Sequence, residues 1–339
     1  MTTRSEEGPP AAGRAKEVAL LWLWKKGDKW NEHCGLRRLG KLLSWCAWQL
    51  ATTYLHPLAR GRRGKVVFSL VRWWPHWHSE RQVLVDDPVG GKLVAPVRVA
   101  AGLASLSLWP FSERGFVLHV TEPGDIMLDV GAYIGSFTVP MAIQGATVHA
   151  FEPVSSSREI LARNLRLNQI EHLVTIHGVA VSDTSCRAAI TTEYASGNRL
   201  TTSEDTAATV PVSVVTLDAW ASGRNLDRLL LMKVDAEGSD ERVLAGAIGL
   251  LHRYQPALIV EYWDGSARLQ AWLRSAGYQT YGYDMRTGEL VASVAATGLS
   301  GNVIACTPAR YDTLSTRLAT RPPVQLVRPR IMWAPPEVA

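Results

Sequence analysis

Cysteine is sparse in this 339-residue chain: Cys34, Cys46, Cys186 and Cys306 are scattered, and no Cys-x-x-Cys pair occurs. That speaks against a zinc framework or a disulfide-stapled fold and suits a reducing, cytoplasmic setting. A secretory leader is lacking too, because residues 1–15 are polar, carry several charges and contain Pro9-Pro10; they read as a disordered leader. No long hydrophobic run occurs. Residues 42–59 hold no Asp, Glu, Lys or Arg, yet Gln49, Thr52, Thr53, His56 and Pro57 interrupt them, which leaves the stretch too polar to read as a membrane span. Acidic charge is scarce in the first third: residues 1–120 carry 18 Lys and Arg against 9 Asp and Glu, a net of +9, whereas residues 121–339 carry 18 against 22, a net of −4. Nine of the thirteen tryptophans also precede residue 110. Such a split points to two units with different partners, and the length is ample for both.

In the basic part, Leu36, Leu39, Leu43 and Cys46 recur at helical spacing, and Arg37, Arg38 and Lys41 begin the polar side. An amphipathic helix of this kind packs on a protein core or a second subunit, the commoner use. The other use is to lie in a membrane interface, here with Trp45 and Trp48 at the headgroups. The cluster Arg60, Arg62, Arg63 and Lys65 follows and could meet lipid headgroups, nucleic acid or only water. Residues 66–120 read as strand-rich, with strands at 66–71, 82–85 and 93–99 and a turn at Gly90-Gly91, which makes a small β appendage. Trp73, Trp74 and Trp77 with His76 and His78 read first as a packed core corner and second as an aromatic platform for a sugar or base. The two histidines lack a third ligand at matching spacing, so no metal is assigned.

The informative stretch begins after the turn signal Pro123-Gly124. Residues 126–130 form an apolar run short enough for one buried strand of a parallel sheet. Gly131 then lets the backbone bend sharply and approach a ligand, and Gly135 sits where the next helix, 137–143, must pack near the strand. The N-terminus of that helix offers free N–H groups and a partial positive charge. A second strand, 147–151, ends in Glu152, 23 residues beyond Asp129, the spacing at which doubly wound folds place an acid on ribose hydroxyls. Pro153 stops the ladder. The second glycine of a dinucleotide loop is missing, since position 133 is Tyr133. A bulky side chain there crowds a pyrophosphate but not an amino-acid tail, so S-adenosylmethionine is favoured over NAD.

Downstream, 229–234 is another apolar strand, running into Asp235, Ala236, Glu237 and Gly238. If the strand end stays extended, Lys233, Asp235 and Glu237 share one face. Sheets of this class bind ligands beyond the carboxyl ends of their strands, so the acids are candidates for a general base or for cation binding. The bland alternative pairs Lys233 with an acid and uses Glu237 as a helix cap. A strand at 257–260 brings Glu261 to the same edge. A helix spans 155–167, a third strand 173–176 leads to Val179 and Ala180, where adenine contact is expected, and 187–216 is a Thr-rich insertion with strands near 188–192 and 210–215 that could shape the acceptor pocket. A helix through Leu269, Trp272 and Leu273, a strand at 278–283 and a last strand at 302–306 follow, and from Arg321 the chain reads as irregular.

Pro123-Gly-Asp, Asp129-Val-Gly-Ala with Ile134-Gly135, Phe151-Glu-Pro, Asn164 and Asn168, Thr216-Leu-Asp and Lys233-Val-Asp-Ala-Glu-Gly together resemble the FkbM family of S-adenosylmethionine-dependent methyltransferases. The resemblance covers residues 123 to about 263. Tyr133 and Asp240 depart from it, standing where the family usually has Asn and Glu. It implies a Rossmann-like class I methyltransferase fold, with a seven-stranded, mostly parallel sheet and an antiparallel last strand, acting mostly on hydroxyls of sugars or secondary metabolites.

The resulting expectations are a leader at 1–15, a helical and β-rich extension at 16–120, a methyltransferase domain at 121–308 and a tail at 309–339. The donor is expected on Asp129, Gly131, Ala132, Tyr133, Gly135, Glu152, Pro153, Val179, Ala180 and Asp235. Asp235 or Glu237 is expected as base, Glu261 as acceptor-orienting residue and Lys233 as the group that shapes the carboxylates, while a cation held by Asp235 stays an alternative. The expected acceptor is a sugar, glycosylated or polyketide-type small molecule or glycan. Nucleic acid is disfavoured, because the fourth strand ends without an Asn-Pro-Pro-Tyr loop. Peripheral contact with the inner membrane face through the N-terminal helices, and a homo-oligomer, stay open, as do RNA methylation and a non-catalytic binding role.

Overall fold

Strands buried on both faces must be apolar along their whole length, and short apolar runs alternating with helical segments therefore build a parallel sheet covered by helices. The computed structural model of the chain describes residues 81–97, 99–100, 111–192, 197–201, 208–261, 267–292, 302–324 and 330–335. The N-terminal amphipathic helix, the basic cluster at 60–65, the strand at 66–71 and the Trp73–His78 group lie outside the described residues.

In chain order the elements begin with β1 (Gln82–Asp86), β2 (Lys92–Pro96), α1 (Phe111–Val120), β3 (Ile126–Val130), α2 (Thr138–Ile143), β4 (Thr147–Phe151), α3 (Ser155–Leu167) and β5 (Val174–His177). They continue with β6 (Ala180–Val181), β7 (Cys186–Thr191), β8 (Thr209–Val215), α4 (Leu217–Ala221), β9 (Leu229–Val234), α5 (Asp240–Ala245), α6 (Ile248–Tyr254) and β10 (Ala257–Glu261). The last are α7 (Ala267–Ser275), β11 (Gln279–Asp284), β12 (Glu289–Ala292), β13 (Asn302–Cys306), α8 (Pro308–Thr320) and β14 (Arg330–Trp333).

The main sheet runs β12-β11-β13-β10-β9-β3-β4-β5. Its β10-β9-β3-β4-β5 part is parallel, and β13 runs antiparallel to both neighbours. That is the class I methyltransferase arrangement. Eight strands are present where seven were expected, because Glu289–Ala292 adds an antiparallel edge to β11. Register sets up the site: Asp129 lies opposite Lys233 on β9 and Ala150 on β4. Beneath, Leu128, Val130, Met232, Val234, Leu258 and Val260 form one face of the core with Trp220, Leu244 and Leu273.

Two smaller sheets flank this one. The Thr-rich insertion supplies most of β7 and all of β8, which join β6 in the order β6-β8-β7 around Val154, Ala180, Ile190, Val212 and Val214. The other, β14-β1-β2, joins residues from far apart in the chain, and its tight turn is made by Gly90 and Gly91 at φ +105° and +83°. Two expectations change here. Residues 111–120, read as part of a β appendage, form helix α1, in which Gly115 leaves room for the Met285 side chain; an added Cβ would stand 2.7 Å from Met285 Cε. The C-terminal part, read as a tail irregular from Arg321, contains α8 and then β14 paired with β1. Among the described residues no helix is long and apolar enough to cross a membrane.

Candidate active site

The site is built at the carboxyl ends of β3, β4 and β9. After Val130 the chain turns at Gly131, whose φ is +75° and whose missing Cβ would lie 1.9 Å from the Asp235 carbonyl oxygen. Only glycine fits there. The N–H groups of Gly131 and Ala132 both donate to Phe151 O, at 3.0 and 3.1 Å, and Asp235 N–H donates to Val130 O at 3.1 Å, so three strand ends are tied together. Tyr133 adopts a left-handed φ of +50°. Asparagine enters that region more readily than tyrosine, which gives a physical reason for the family's usual residue. At Gly135 an added Cβ would stand 2.6 Å from Leu161 Cδ1 of α3, the close helix packing expected of that glycine.

Glu152 emerges from β4 with both carboxylate oxygens engaged: Oε2 accepts from Tyr133 N–H and Oε1 from Val154 N–H, each at 2.9 Å. Burial pushes its carboxyl above the ordinary value, while the two N–H donors pull the other way. A carboxylate oxygen has two lone pairs, so capacity for ribose hydroxyls is retained. Pro153 follows and its carbonyl accepts from Arg158 Nη1 at 2.6 Å. Val179 packs beside the main core and stays near the β5 end. The Ala180 methyl, also expected at adenine, lies in the core of the β6-β8-β7 sheet instead.

Lys233 is the hinge of the charge cluster. Its ammonium donates to Gly131 O at 3.0 Å, pairs with Asp235 Oδ2 at 3.1 Å, and stands 3.7 Å from Asp129 Oδ1 and 5.4 Å from the Phe137 ring centre. Burial alone would lower its pKa, but Asp235 and Asp129 outweigh burial and hold it above the ordinary lysine value. Asp129 is fully buried, with Oδ2 accepting from Thr138 Oγ1 at 2.6 Å; burial pushes its carboxyl up against the pull of Lys233.

Asp235 and Glu237 do come together, but through a turn and not an extended strand end, since β9 stops at Val234 and Glu237 is left-handed at φ +49°. Asp240 closes that turn by accepting from Ala236 N–H at 2.9 Å, so the shorter acid serves where glutamate is usual. Glu237 is pushed up to about 7 by burial and then by the Asp235 charge, with Asp240 adding to the rise and Lys233 and Arg199 opposing it. Glu261 ends β10 opposite Asn302, one strand along the same edge. Sequence reasoning missed Thr138, whose only signal is a hydroxyl at the start of a helix, and Arg199, which has none. Among the described residues no group of three or more His, Cys, Asp or Glu is placed to hold a metal.

Residues 129–280 match the family described as the Methyltransferase FkbM domain. The chain carries an FkbM-family methyltransferase domain. Over 173 residues it is 29% identical to a protein of Streptomyces tacrolimicus named 31-O-demethyl-FK506 methyltransferase FkbM, covering 40% of this chain and 65% of that relative. A 72-residue stretch is 31% identical to a Mus musculus tRNA (guanine(37)-N(1))-methyltransferase, covering 21% of this chain and 14% of the relative. The crystal structure of Methyltransferase FkbM from Methylobacillus flagellatus KT aligns with a TM-score of 0.38 and 16% identity over 70% of this chain and 60% of that one. The chain thus spans less than two thirds of these relatives' own lengths.

An FkbM-family domain implies S-adenosylmethionine as methyl donor. The residues present fit it: the cradle at Gly131 is one a Cβ would fill, and Glu152 keeps acceptor capacity beside the turn. Gly131, Ala132, Tyr133, Gly135, Glu152 and Val179 would hold the donor, which supplies an electrophilic methyl group.

Proposed function

We propose that this domain transfers a methyl group to a hydroxyl of a sugar, glycosylated or polyketide-type acceptor, with Glu237 as general base. The single observation that carries this reading is the position and ionisation of Glu237, a carboxylate raised to about 7 at the sheet edge where ligands bind. An alcohol attacks poorly while it keeps its proton, and a base whose pKa lies near the working pH removes it most effectively. Asp235 pairs through Oδ2 with the buried Lys233 ammonium at 3.1 Å, so taking up a proton there would cost it that ion pair. Glu237 accepts the acceptor's proton as the oxygen–carbon bond forms and the carbon–sulfur bond breaks. Lys233 holds Asp235 and the Gly131 carbonyl in place throughout, and Glu261 orients the acceptor from the adjacent strand. The Streptomyces relative, named for an O-demethylated acceptor, supports an oxygen target.

The tRNA methyltransferase relatives favour a second reading, methylation of RNA, through the Mus musculus match. Against it, Asp235, Glu237 and Asp240 lie together just beyond the end of β9, a charge pattern that repels a phosphate backbone. The test is incubation of the full chain with methyl-labelled S-adenosylmethionine and cell extract, separated into small metabolites, glycans, lipids, RNA and protein. Label in metabolites or glycans as methyl ether is expected. Label confined to RNA overturns the proposal.

A further inference from the structure

Asn164 of α3 and Asn168, the residue that caps its C-terminus, lie one turn apart, and their carboxamides meet β2 as a neighbouring strand would. Asn168 Oδ1 accepts from Lys92 N–H at 2.8 Å while Nδ2 donates to Lys92 O at 2.7 Å. Asn164 Oδ1 accepts from Val94 N–H at 2.7 Å while Nδ2 donates to Val94 O at 3.1 Å. The match is geometric: four residues of helix rise about 6 Å, and two residues of strand rise about 6.6 Å. Side chains at i and i+4 of a helix can therefore read the outward-facing backbone groups at i and i+2 of a strand.

The two asparagines differ in one further bond. Asn168 Nδ2 donates to Asn164 O of its own helix at 2.7 Å, whereas Asn164 Nδ2 donates to Ile134 O at 2.8 Å. Ile134 lies inside the turn between β3 and α2, and Asn164 is fully buried beneath it. A peptide unit is planar, so holding the Ile134 carbonyl also fixes the Gly135 N–H, which closes the turn on Ala132 O at 2.8 Å.

We infer that Asn164 is a positioning residue for the methyl donor: it locks the Ile134–Gly135 peptide and thereby couples the β14-β1-β2 sheet to the donor turn. This inference rests on the donor reading of that turn. Asn164 itself touches no reacting atom; it acts through the backbone that Tyr133, Gly135 and Ala132 present.

Asn168 supplies the control, because it makes the same contact with β2 and none with the turn. Asn164→Ala and Asn168→Ala, made in the full chain, are both expected to lower Tm. Titration calorimetry with S-adenosylmethionine and S-adenosylhomocysteine is expected to show Kd raised about 5- to 10-fold in Asn164→Ala and within about twofold of wild type in Asn168→Ala. Equal weakening in both variants, or none in either, overturns the inference. If the alanine variant does not fold, Asn164→Asp keeps the acceptor for Val94 N–H and the side-chain shape but, when ionised, has no donor for Ile134 O; wild-type affinity in that variant likewise overturns it. Wild-type protein that binds no donor at all refutes the donor reading itself, a result distinct from a binding wild type with unaffected variants.

Discussion

Glu237 owes its ionisation to where the backbone puts it. The left-handed turn at Glu237 and Gly238 brings its carboxylate beside Asp235, and burial does the rest. A base that is protonated below about 7 produces a rising acid limb in kcat/KM, because only the ionised carboxylate can accept the acceptor's proton. Activity is therefore expected to climb with pH through about 7. Asp235→Asn removes a neighbouring charge that raises Glu237, so the limb is expected to move to lower pH, and Glu237→Gln is expected to cut kcat by roughly 10²–10⁴ with donor Kd unchanged. A pH–rate series on the three proteins decides this; an unshifted limb in Asp235→Asn, or a Glu237→Gln variant with wild-type kcat, removes Glu237 from the role. Gly131→Ala is the sharpest steric test. The left-handed backbone alone costs about 1–3 kcal/mol for a residue with a Cβ, and the new methyl meets the Asp235 carbonyl. Tm is expected to fall and calorimetric donor binding to disappear; wild-type affinity would contradict the close approach. At this scale the sharp bend at Gly131 and the place of Glu152 at the end of β4 were legible in the sequence because each follows from strand-end spacing, whereas a Lys233 ion pair stood there only as the alternative to a catalytic acid cluster. The turn that gathers Glu237 was not, since a left-handed glutamate has no residue signature.

At the scale of elements, the buried pair Asp87–Arg114 ties three of them together. Arg114 of α1 is fully buried, pairs with Asp87 beyond β1 and donates from Nε to Ser136 O at 2.8 Å, just ahead of α2. Asp87 also accepts from Val89 N–H at 3.1 Å, which shapes the β1–β2 turn. Removing one member of such a pair strands the other charge in a low dielectric, typically at a cost of about 3–5 kcal/mol, whereas replacing both with apolar groups restores much of the loss. Asp87→Ala is expected to lower unfolding free energy by that amount in urea, and Asp87→Leu with Arg114→Met to recover most of it. A single variant as stable as wild type would show that the pair carries no such weight. Strands β3, β9 and β10 of the parallel sheet were readable from apolar runs, and α3 from its helical pattern. Helix α1 was misread because Phe116, Val117 and Val120 favour strands by composition; packing against β11 and α2 overrides that preference. Strand β12 escaped because it is a four-residue edge whose pairing is set by β11 and not by its own sequence.

Across the whole molecule, the strand pairing most distant in sequence among described residues is that of β1 with β14, which sets residue 83 opposite residue 333. Trp333, Met332, Ile331 and Arg330 of β14 sit opposite Val83, Leu84, Val85 and Asp86 of β1. Nothing local announces this, because four residues after a Pro- and Arg-rich stretch look like the end of a chain until a partner edge is available; register of this kind is dictated by the partner. The consequence is testable by shortening the chain. Ending it at residue 324 leaves β1 with an unpaired row of N–H and C=O groups at Gln82, Leu84 and Asp86, the residues whose backbone faces β14. Loss of about three or four ladder bonds at roughly 0.5–1.5 kcal/mol each is expected to lower stability by about 2–5 kcal/mol, and the exposed edge is expected to drive self-association. Met332→Pro breaks the same ladder without shortening the chain, so a shared loss in urea midpoint and shared growth of large species in size-exclusion chromatography assign the effect to the pairing. If truncation alone destabilises and Met332→Pro does not, the C-terminal residues contribute through something other than the β1–β14 ladder.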